Sequence, residues 1–483
     1  MTTEHLDVLI VGAGLSGIGA AYYLQANCPQ KSYAVLEGRE AMGGTWDLFR
    51  YPGVRSDSDM YTLGYTFRPW TNPKAIADGP SILQYIKDTA AEYGIDRKIR
   101  YGHRLCSASW SSQDAKWTVE VQRTAEGDTV QLTCSFLFMC TGYYSYERGY
   151  LPDWPGMDDF QGQFVHPQQW PENLDYSGKR VVIIGSGATA VTLAPSMTDK
   201  AAHVTMLQRS PTYIVSLPAE DALANWMNAR LPKRLAYTIT RWKVILLNII
   251  FFYMARWRPQ ATKRQIVKMV KDTLGPEYDV DTHFTPNYNP WDQRLCLVPD
   301  GDLFEAIKAG KMSVVTDHIE TFTENGIRLR SGQEIEADIV VTATGLVMKL
   351  MDGVTLVVDG KPVEFRETFA YKGMMYSDVP NLASAFGYTN ASWTLKCELT
   401  SQYVCRMLNY MEEHGYRQAT PRNHDPSLQK IPVVNFTSGY VQRALGAVPS
   451  QGSKRPWKVY QNYLMDMLTL RLGALEDGVM EFR

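Results

Sequence analysis

Twice in this chain an apolar strand runs into a glycine-rich turn, and the repetition calls for two nucleotide-type α/β units rather than one. In the first, Val8-Leu9-Ile10-Val11 leads into Gly12-Ala13-Gly14-Leu15-Ser16-Gly17, and a second strand, Tyr33-Ala34-Val35-Leu36, ends on the acid Glu37. In the second, Val181-Val182-Ile183-Ile184 leads into Gly185-Ser186-Gly187-Ala188-Thr189-Ala190, and Val204-Thr205-Met206-Leu207 ends on Gln208-Arg209. Such glycines let backbone N–H groups and a helix N-terminus approach a pyrophosphate, and the residue about 20 positions on meets a ribose. An acid there accepts from free ribose hydroxyls, whereas an arginine pairs with a 2′-phosphate. Ala190 still fits the last glycine position, which serves helix–strand packing. A single G-x-G-x-x-G is a weak signal, but strand, turn, helix and terminal charge found twice are not.

The expected fold class is therefore α/β, with two Rossmann-like dinucleotide-binding domains. The acid-closed unit suits FAD and the arginine-closed unit NADPH, as in a flavin-dependent oxidoreductase. Two buried-type strands closing on Thr-Gly, Phe136 to Gly142 and Asp338 to Gly345, mark where the chain crosses between domains. They predict a nested order: residues 1–142 as the first part of the FAD domain, 143–345 as an inserted NADPH domain with a helical insert at about 215–280, and 346–483 as the second part with C-terminal loops. In that last part alternation weakens, and turn residues at Thr437-Ser438-Gly439 and Pro449-Ser450-Gln451-Gly452-Ser453 predict mobile loops.

Lys and Arg total 49 against 51 Asp and Glu, a net charge of −2, so nothing calls for a nucleic-acid partner. The seven cysteines include no C-x-x-C pair, and none lies between residues 38 and 60, which argues against a disulfide reductase built on the same two-nucleotide plan. They read as reduced thiols of a cytoplasmic protein, and the eight histidines show no metal-ligand spacing, so no metal is expected. The first strand begins by Val8 and leaves no room for a secretory leader. Val244 to Ala255 is the one long apolar run, too short for a bilayer span of about 20 residues. Apolar residues at helical spacing from Leu235 to Trp257, flanked by Lys and Arg, allow a membrane-surface helix over 235–257, but packing within the helical insert is the favoured reading.

The segment Phe160-Gln161-Gly162-Gln163-Phe164-Val165-His166-Pro167-Gln168-Gln169-Trp170-Pro171 matches F-x-G-x-x-x-H-x-x-x-W-P, with Phe160, Gly162, His166, Trp170 and Pro171 at the fixed positions. By this signature the chain resembles the Baeyer-Villiger monooxygenases, the class B flavoprotein monooxygenases. Gly43 to Trp46, Arg50 to Asp57, Tyr288 to Arg294 and Gly387 to Thr394 extend the likeness, which is nearest to the ethionamide-activating subgroup. The resemblance implies an NADPH- and O2-dependent enzyme that converts ketones to esters or lactones and also oxygenates sulfide or thioamide sulfur. The nearest alternative is an N- or S-oxygenating flavin-containing monooxygenase, whose motif typically lacks the Trp-Pro ending. Carried over by motif, Gly12, Gly14, Ser16, Gly17, Glu37, Thr45, Trp46, Asp57 and the backbone at Leu105 are implied to meet FAD. Arg55, Ser56, Gly185, Ser186, Gly187, Ala188, Thr189, Ala190, Gln208 and Arg209 are implied to meet NADPH. Arg294 and Asp57 are the implied catalytic pair, the arginine stabilising anionic oxygen and the acid orienting it, while His166 is implied to couple the two domains. Many relatives carry lysine directly before this arginine, where this chain has Gln293. That leaves Arg209 the main expected reader of the 2′-phosphate.

Overall fold

The computed structural model describes residues 3–433 and 437–483. Each glycine fingerprint sits at the end of an inner parallel strand of its own sheet. In the first sheet, Ile99–Arg100, Tyr33–Leu36, His5–Val11 and Thr129–Met139 run parallel, with Leu382–Ser384 continuing parallel beside Leu137 to Met139. Beyond them the sheet goes on antiparallel through Lys116–Arg123 and His103–Ser111. The second sheet holds Met312–Thr316, His203–Gln208, Arg180–Ile184, Ile339–Thr342 and Gln163–Val165 in that order, all parallel. A three-stranded antiparallel meander over Ile319 to Glu336 precedes its return strand. The central strands are covered on both faces, which is why they read as unbroken apolar runs: Val8, Leu9 and Ile10 are fully buried, and Val181 to Ile183 nearly so.

Two segments join the sheets, and they are hydrogen-bonded to each other. Ser145 N donates to Val347 O at 2.8 Å and Lys349 N to Tyr143 O at 2.9 Å, so the outgoing and returning chains form a short antiparallel ribbon. Both fingerprints lean on the ends of these crossings. A Cβ on Gly12 would lie 2.5 Å from Cys140 O, and one on Gly185 would lie 2.4 Å from Ala343 O; both glycines also have positive φ, 105° and 141°.

Between His203–Gln208 and Met312–Thr316 the helices Ala222–Asn228, Lys233–Trp257, Pro259–Leu274 and Val280–His283 are flanked by the parallel strand pair Ile214–Leu217 and Cys296–Pro299, and the helix Asp302–Lys308 follows. The long helix Lys233–Trp257 buries Ala236, Tyr237, Thr240, Arg241, Val244 and Ile245. It packs on its neighbours Ala222–Asn228 and Pro259–Leu274 and equally on the first unit, where Arg241 donates to Tyr61 O and Gly64 O and pairs with Glu398 at 2.7 Å. The opposite face is open, with Leu246, Leu247, Ile250, Tyr253, Met254 and Trp257 exposed. Packing within the insert is thus half the arrangement of this helix.

The C-terminal part is more regular than expected. Trp393–His414 is a 22-residue helix against Leu15–Asn27, with Lys396, Glu398, Thr400 and Ser401 among its buried residues. The mobile loop expected around 449–453 is instead a strand, Ser450–Gly452, paired antiparallel with Lys430–Pro432. Gln451 also holds it, accepting from Val459 N through its side chain. The turn cluster at 437–439 leads directly into the helix Gly439–Ala444.

Candidate functional site

The first fingerprint makes a cradle that suits a pyrophosphate. Helix Leu15–Asn27 begins at Gly14 with no side-chain cap and no acid in its first turn, so its leading N–H groups face outward unpaired by side chains. Gly14 and Gly44 meet backbone to backbone: a Cβ on Gly14 would be 3.5 Å from Gly44 Cα, and Gly43 N donates to Ala13 O. Any larger residue would fill this space. Gly17 packs closer still, since a Cβ there would lie 1.8 Å from Gly12 O. Glu37 closes the cradle with one carboxylate oxygen accepting from Ala13 N at 2.9 Å and the other from Arg39 N at 3.0 Å. Burial, as the largest influence, raises its pKa above the usual carboxyl value, against the pull of those two N–H groups. His103 N donates to Glu37 O, which brings the strand carrying Leu105 alongside. Thr45 Oγ1 meets Tyr144 Oη at 2.6 Å, half-buried Trp46 follows it, and Ser16 Oγ lies 3.4 Å from Cys397 Sγ.

The second fingerprint opens on a cleft of about 920 Å³. Gly185, Ser186, Gly187, Ala188 and Thr189 line one wall, and helix Ala188–Ser196 starts there, again uncapped by any side chain and without an acid in its first turn. Ala190 is buried behind the wall. Ser186 Oγ donates to Ser210 O and meets Thr212 Oγ1, which fixes the turn. Arg209 and Gln293 both line the cleft, as do His318 and Arg330. The last two arrive through a chain of backbone bonds: Asp317 N to Gln208 O, then Arg330 N to His318 O. Arg209 and Arg330 are both exposed, and no side chain among the described residues pairs with either. The sequence pattern gave no hint of Arg330, because it reaches the cleft from the meander rather than from either fingerprint.

Arg294 lies in the wall between the two units. Its Nη2 is 3.2 Å from Asp57 Oδ1 and 3.1 Å from Asp57 Oδ2, with 41% of the arginine side chain and 29% of the acid still accessible. Asp57 is the largest influence on Arg294 and raises its pKa further above an already high value, so the guanidinium stays charged. Behind it, Asn289 to Asp292 forms a turn in which Asn289 N donates to the Asp292 carboxylate and Trp291 takes φ 70°. That strained conformation in a bulky residue is held by ring contact with Phe252 and by the Arg256–Asp292 pair, both from the long helix. Burial pushes the thiol of neighbouring Cys296 up to about 12, away from thiolate character. Tyr143, Tyr150, Ser438, Gly439, Tyr440 and Arg443 complete the cleft beside Arg294. Tyr143 is stacked on Trp393 with centroids 5.0 Å apart.

Three residues implied to meet NADPH have partners within the protein. Arg55 is paired with Asp302 at 2.5 Å, Ser56 closes a local turn with Ser58, and the Gln208 amide donates to His283 O and Thr316 Oγ1. Each thereby positions a neighbouring loop.

The signature segment is a clamp across the crossings. Gln168 Nε2 donates to Ser145 O and Gln169 Nε2 to Glu147 O. A Cβ on Gly149 would sit 1.8 Å from His166 Cε1, so the imidazole rests on that glycine. His166 Nδ1 accepts from Gln168 N while Nε2 is buried with no hydrogen-bond partner among the described residues, and burial lowers its pKa below the usual histidine value. Phe160 is buried against Phe164 and Phe322, and a Cβ on Gly162 would meet its ring at 2.3 Å. Trp170 packs at the edge of the second core and Pro171 is exposed.

Comparison with known proteins agrees with this geometry. Residues 72–374 match the flavin-binding monooxygenase-like family model, and residues 10–73 match the NAD(P)-binding Rossmann-like domain model. The FAD-containing monooxygenase EthA of Mycobacterium tuberculosis is 55% identical, covering 99% of this chain and 98% of its own. EthA of Mycolicibacterium smegmatis is 52% identical over 99% and 97%. Among solved structures, an open form of cyclohexanone monooxygenase superposes with a TM-score of 0.77 at 19% identity over the whole of both chains. Steroid monooxygenase bound to NADP does so with a TM-score of 0.72 at 23% identity, covering 86% and 88%.

Proposed function

The chain belongs to the flavin-binding monooxygenase-like family, and from that premise we propose that it inserts oxygen into ketones to give esters or lactones, and that it oxygenates sulfide or thioamide sulfur as well. It is a flavoprotein monooxygenase that uses FAD and NADPH. When bound, FAD supplies the redox chemistry, accepting hydride from NADPH and passing electrons to O2. The protein's own part is to bind, orient and polarise. The turn Gly12 to Gly17 and the helix behind it hold the FAD pyrophosphate, and Glu37 accepts from the ribose. The turn Gly185 to Thr189 does the same for NADPH, with Arg209 and Arg330 on the 2′-phosphate in place of the lysine absent at Gln293.

The observation that carries the ketone reading is Arg294 held by both oxygens of Asp57 at the wall of the cleft. A guanidinium fixed this way offers its remaining donors to negative charge developing on oxygen, and fixed donors of that kind act before charge appears rather than reorganising after it. Tyr143 and Tyr440 beside it reduce access of water and strengthen the field. The test is FAD-loaded enzyme with NADPH, isotopically labelled O2 and a panel of linear, cyclic and aryl ketones and sulfides. Ester or lactone carrying one labelled oxygen supports the reading. Sulfoxide alone, with every ketone recovered unchanged, would leave the N- or S-oxygenating alternative.

A further inference from the structure

The long helix is apolar on two faces, and only one of them is used. Its inner face is fastened by the buried Arg241–Glu398 pair, and its outer face presents Leu235, Ile239, Leu246, Leu247, Ile250, Tyr253, Met254 and Trp257 to solvent, Trp257 being 74% exposed. At 100° per residue these fall within one arc of about 120° along its whole length. The short helix Ala222–Asn228 adds exposed Leu223 and Trp226 beside it, tied by the Lys243–Asp221 pair. Charge in this part of the chain is one-signed. Residues 222 to 271 contain no Asp or Glu but eleven Lys and Arg, in a protein whose net charge is −2. Lys233, Arg234, Arg258 and Arg264 have no acidic partner among the described residues and stand near the two ends of the helix. Each end also carries a tryptophan with an arginine over its ring: Arg230 on Trp226 at 4.8 Å and Arg258 on Trp257 at 4.5 Å.

We infer that this face docks on an anionic lipid surface, with the helix lying in the interface. Apolar side chains would enter the acyl boundary, while cations and indole rings at both ends sit among anionic headgroups. By length and composition alone the helix could cross a bilayer, but crossing would tear Arg241 from Glu398 and from the Tyr61 and Gly64 carbonyls, leaving charges unpaired. A second copy of the chain is the poorer occupant. Both ends of the face are basic, so parallel and antiparallel pairing alike set cation against cation. The docked face is one layer from the catalytic cleft, because Phe252 and Arg256 of the same helix hold the turn before Arg294.

The test is flotation of the full FAD-loaded protein with vesicles of phosphatidylcholine and phosphatidylglycerol in equal parts, against phosphatidylcholine alone. Wild type should float with the anionic vesicles, with Trp emission shifted to the blue, and should be released as salt rises from about 0.1 M to 1 M. The pair Ile250→Ser and Trp257→Ser, and separately Arg234→Glu with Arg258→Glu, should each weaken partitioning at least about tenfold, with vesicle-free NADPH oxidation unchanged. These positions are on the surface, so the variants should fold. Wild type that stays with the lipid-free fraction, or variants that float as well as wild type, would overturn the inference. So would a wild-type dimer that becomes monomeric when Ile250 and Trp257 are replaced, since a second copy would then be what covers the face.

Discussion

At the scale of single residues, the two fingerprints differ in how closely they are packed. A Cβ on Gly17 would overlap the carbonyl of Gly12, whereas the equivalent Ala190 is accommodated in the second unit. Gly17→Ala should therefore yield protein without bound flavin, while Ala190→Gly should lose only about 0.5–1 kcal/mol of stability, as glycine costs inside a helix; flavin absorbance and thermal melts check both. Arg209→Ala removes a charge-assisted contact worth about 1.5–3 kcal/mol, which lowers NADPH affinity roughly ten- to a hundredfold and leaves NADH use nearly unchanged. Arg330→Ala should add to that loss, and the double variant should scarcely distinguish the two nucleotides in titrations. Equal affinity for NADPH in wild type and Arg330→Ala would remove Arg330 from the site. For Arg294→Ala, oxygenated product should fall by about 10² to 10³ with FAD retained, the cost of one preorganised donor to an oxyanion. The readout is product formed per NADPH consumed, with the balance appearing as hydrogen peroxide. Arg294→Lys, which keeps charge but not the planar fork, should recover part of it.

At the scale of elements, what the sequence announces and what it hides divide along hydrophobic pattern. The central strands are legible because both of their faces are covered, and the fingerprints because glycine is required where backbone meets backbone. The helix Trp393–His414 was not legible, since its buried Leu395, Cys397, Leu399, Val404 and Met407 are interleaved with Lys396, Glu398, Thr400 and Ser401, which are buried too but read as surface and blur the apolar stripe. They are tolerable inside because each charge has a buried partner, Asp466 for Lys396 and Arg241 for Glu398. The pairing of Arg294 with Asp57 was legible from the motif, but not the choices a side chain makes between two neighbours: nothing in the spacing shows that Arg55 faces Asp302. The Arg241–Glu398 pair also makes a prediction. Arg241→Leu leaves Glu398 buried and uncompensated and should cost about 3–5 kcal/mol. Urea unfolding should show that loss, and the paired change Arg241→Leu with Glu398→Leu should restore much of it.

At the scale of the whole molecule, His166 fastens the signature segment to the crossings and gives the assembly an acid-side weakness. Its folded pKa lies below the usual value of about 6.5, so in that window the unfolded chain binds more protons. The stability it contributes is complete above the unfolded pKa and is lost as pH falls towards the folded one. Urea midpoints measured from pH 7.5 down to about 5 should decline, and His166→Gln should flatten that decline; an unaltered slope would place the titration elsewhere.

The ribbon between the sheets has a mechanical consequence. Two strands bonded edge to edge resist sliding past one another, so the ribbon keeps the ends of the two sheets in register, and the Arg241–Glu398 and Arg55–Asp302 pairs brace the same halves from other sides. The ribbon lies next to Cys140 and Ala343, the residues against which Gly12 and Gly185 rest. Each glycine turn is thus seated at a braced seam, and the outer loops can shift without carrying either turn along.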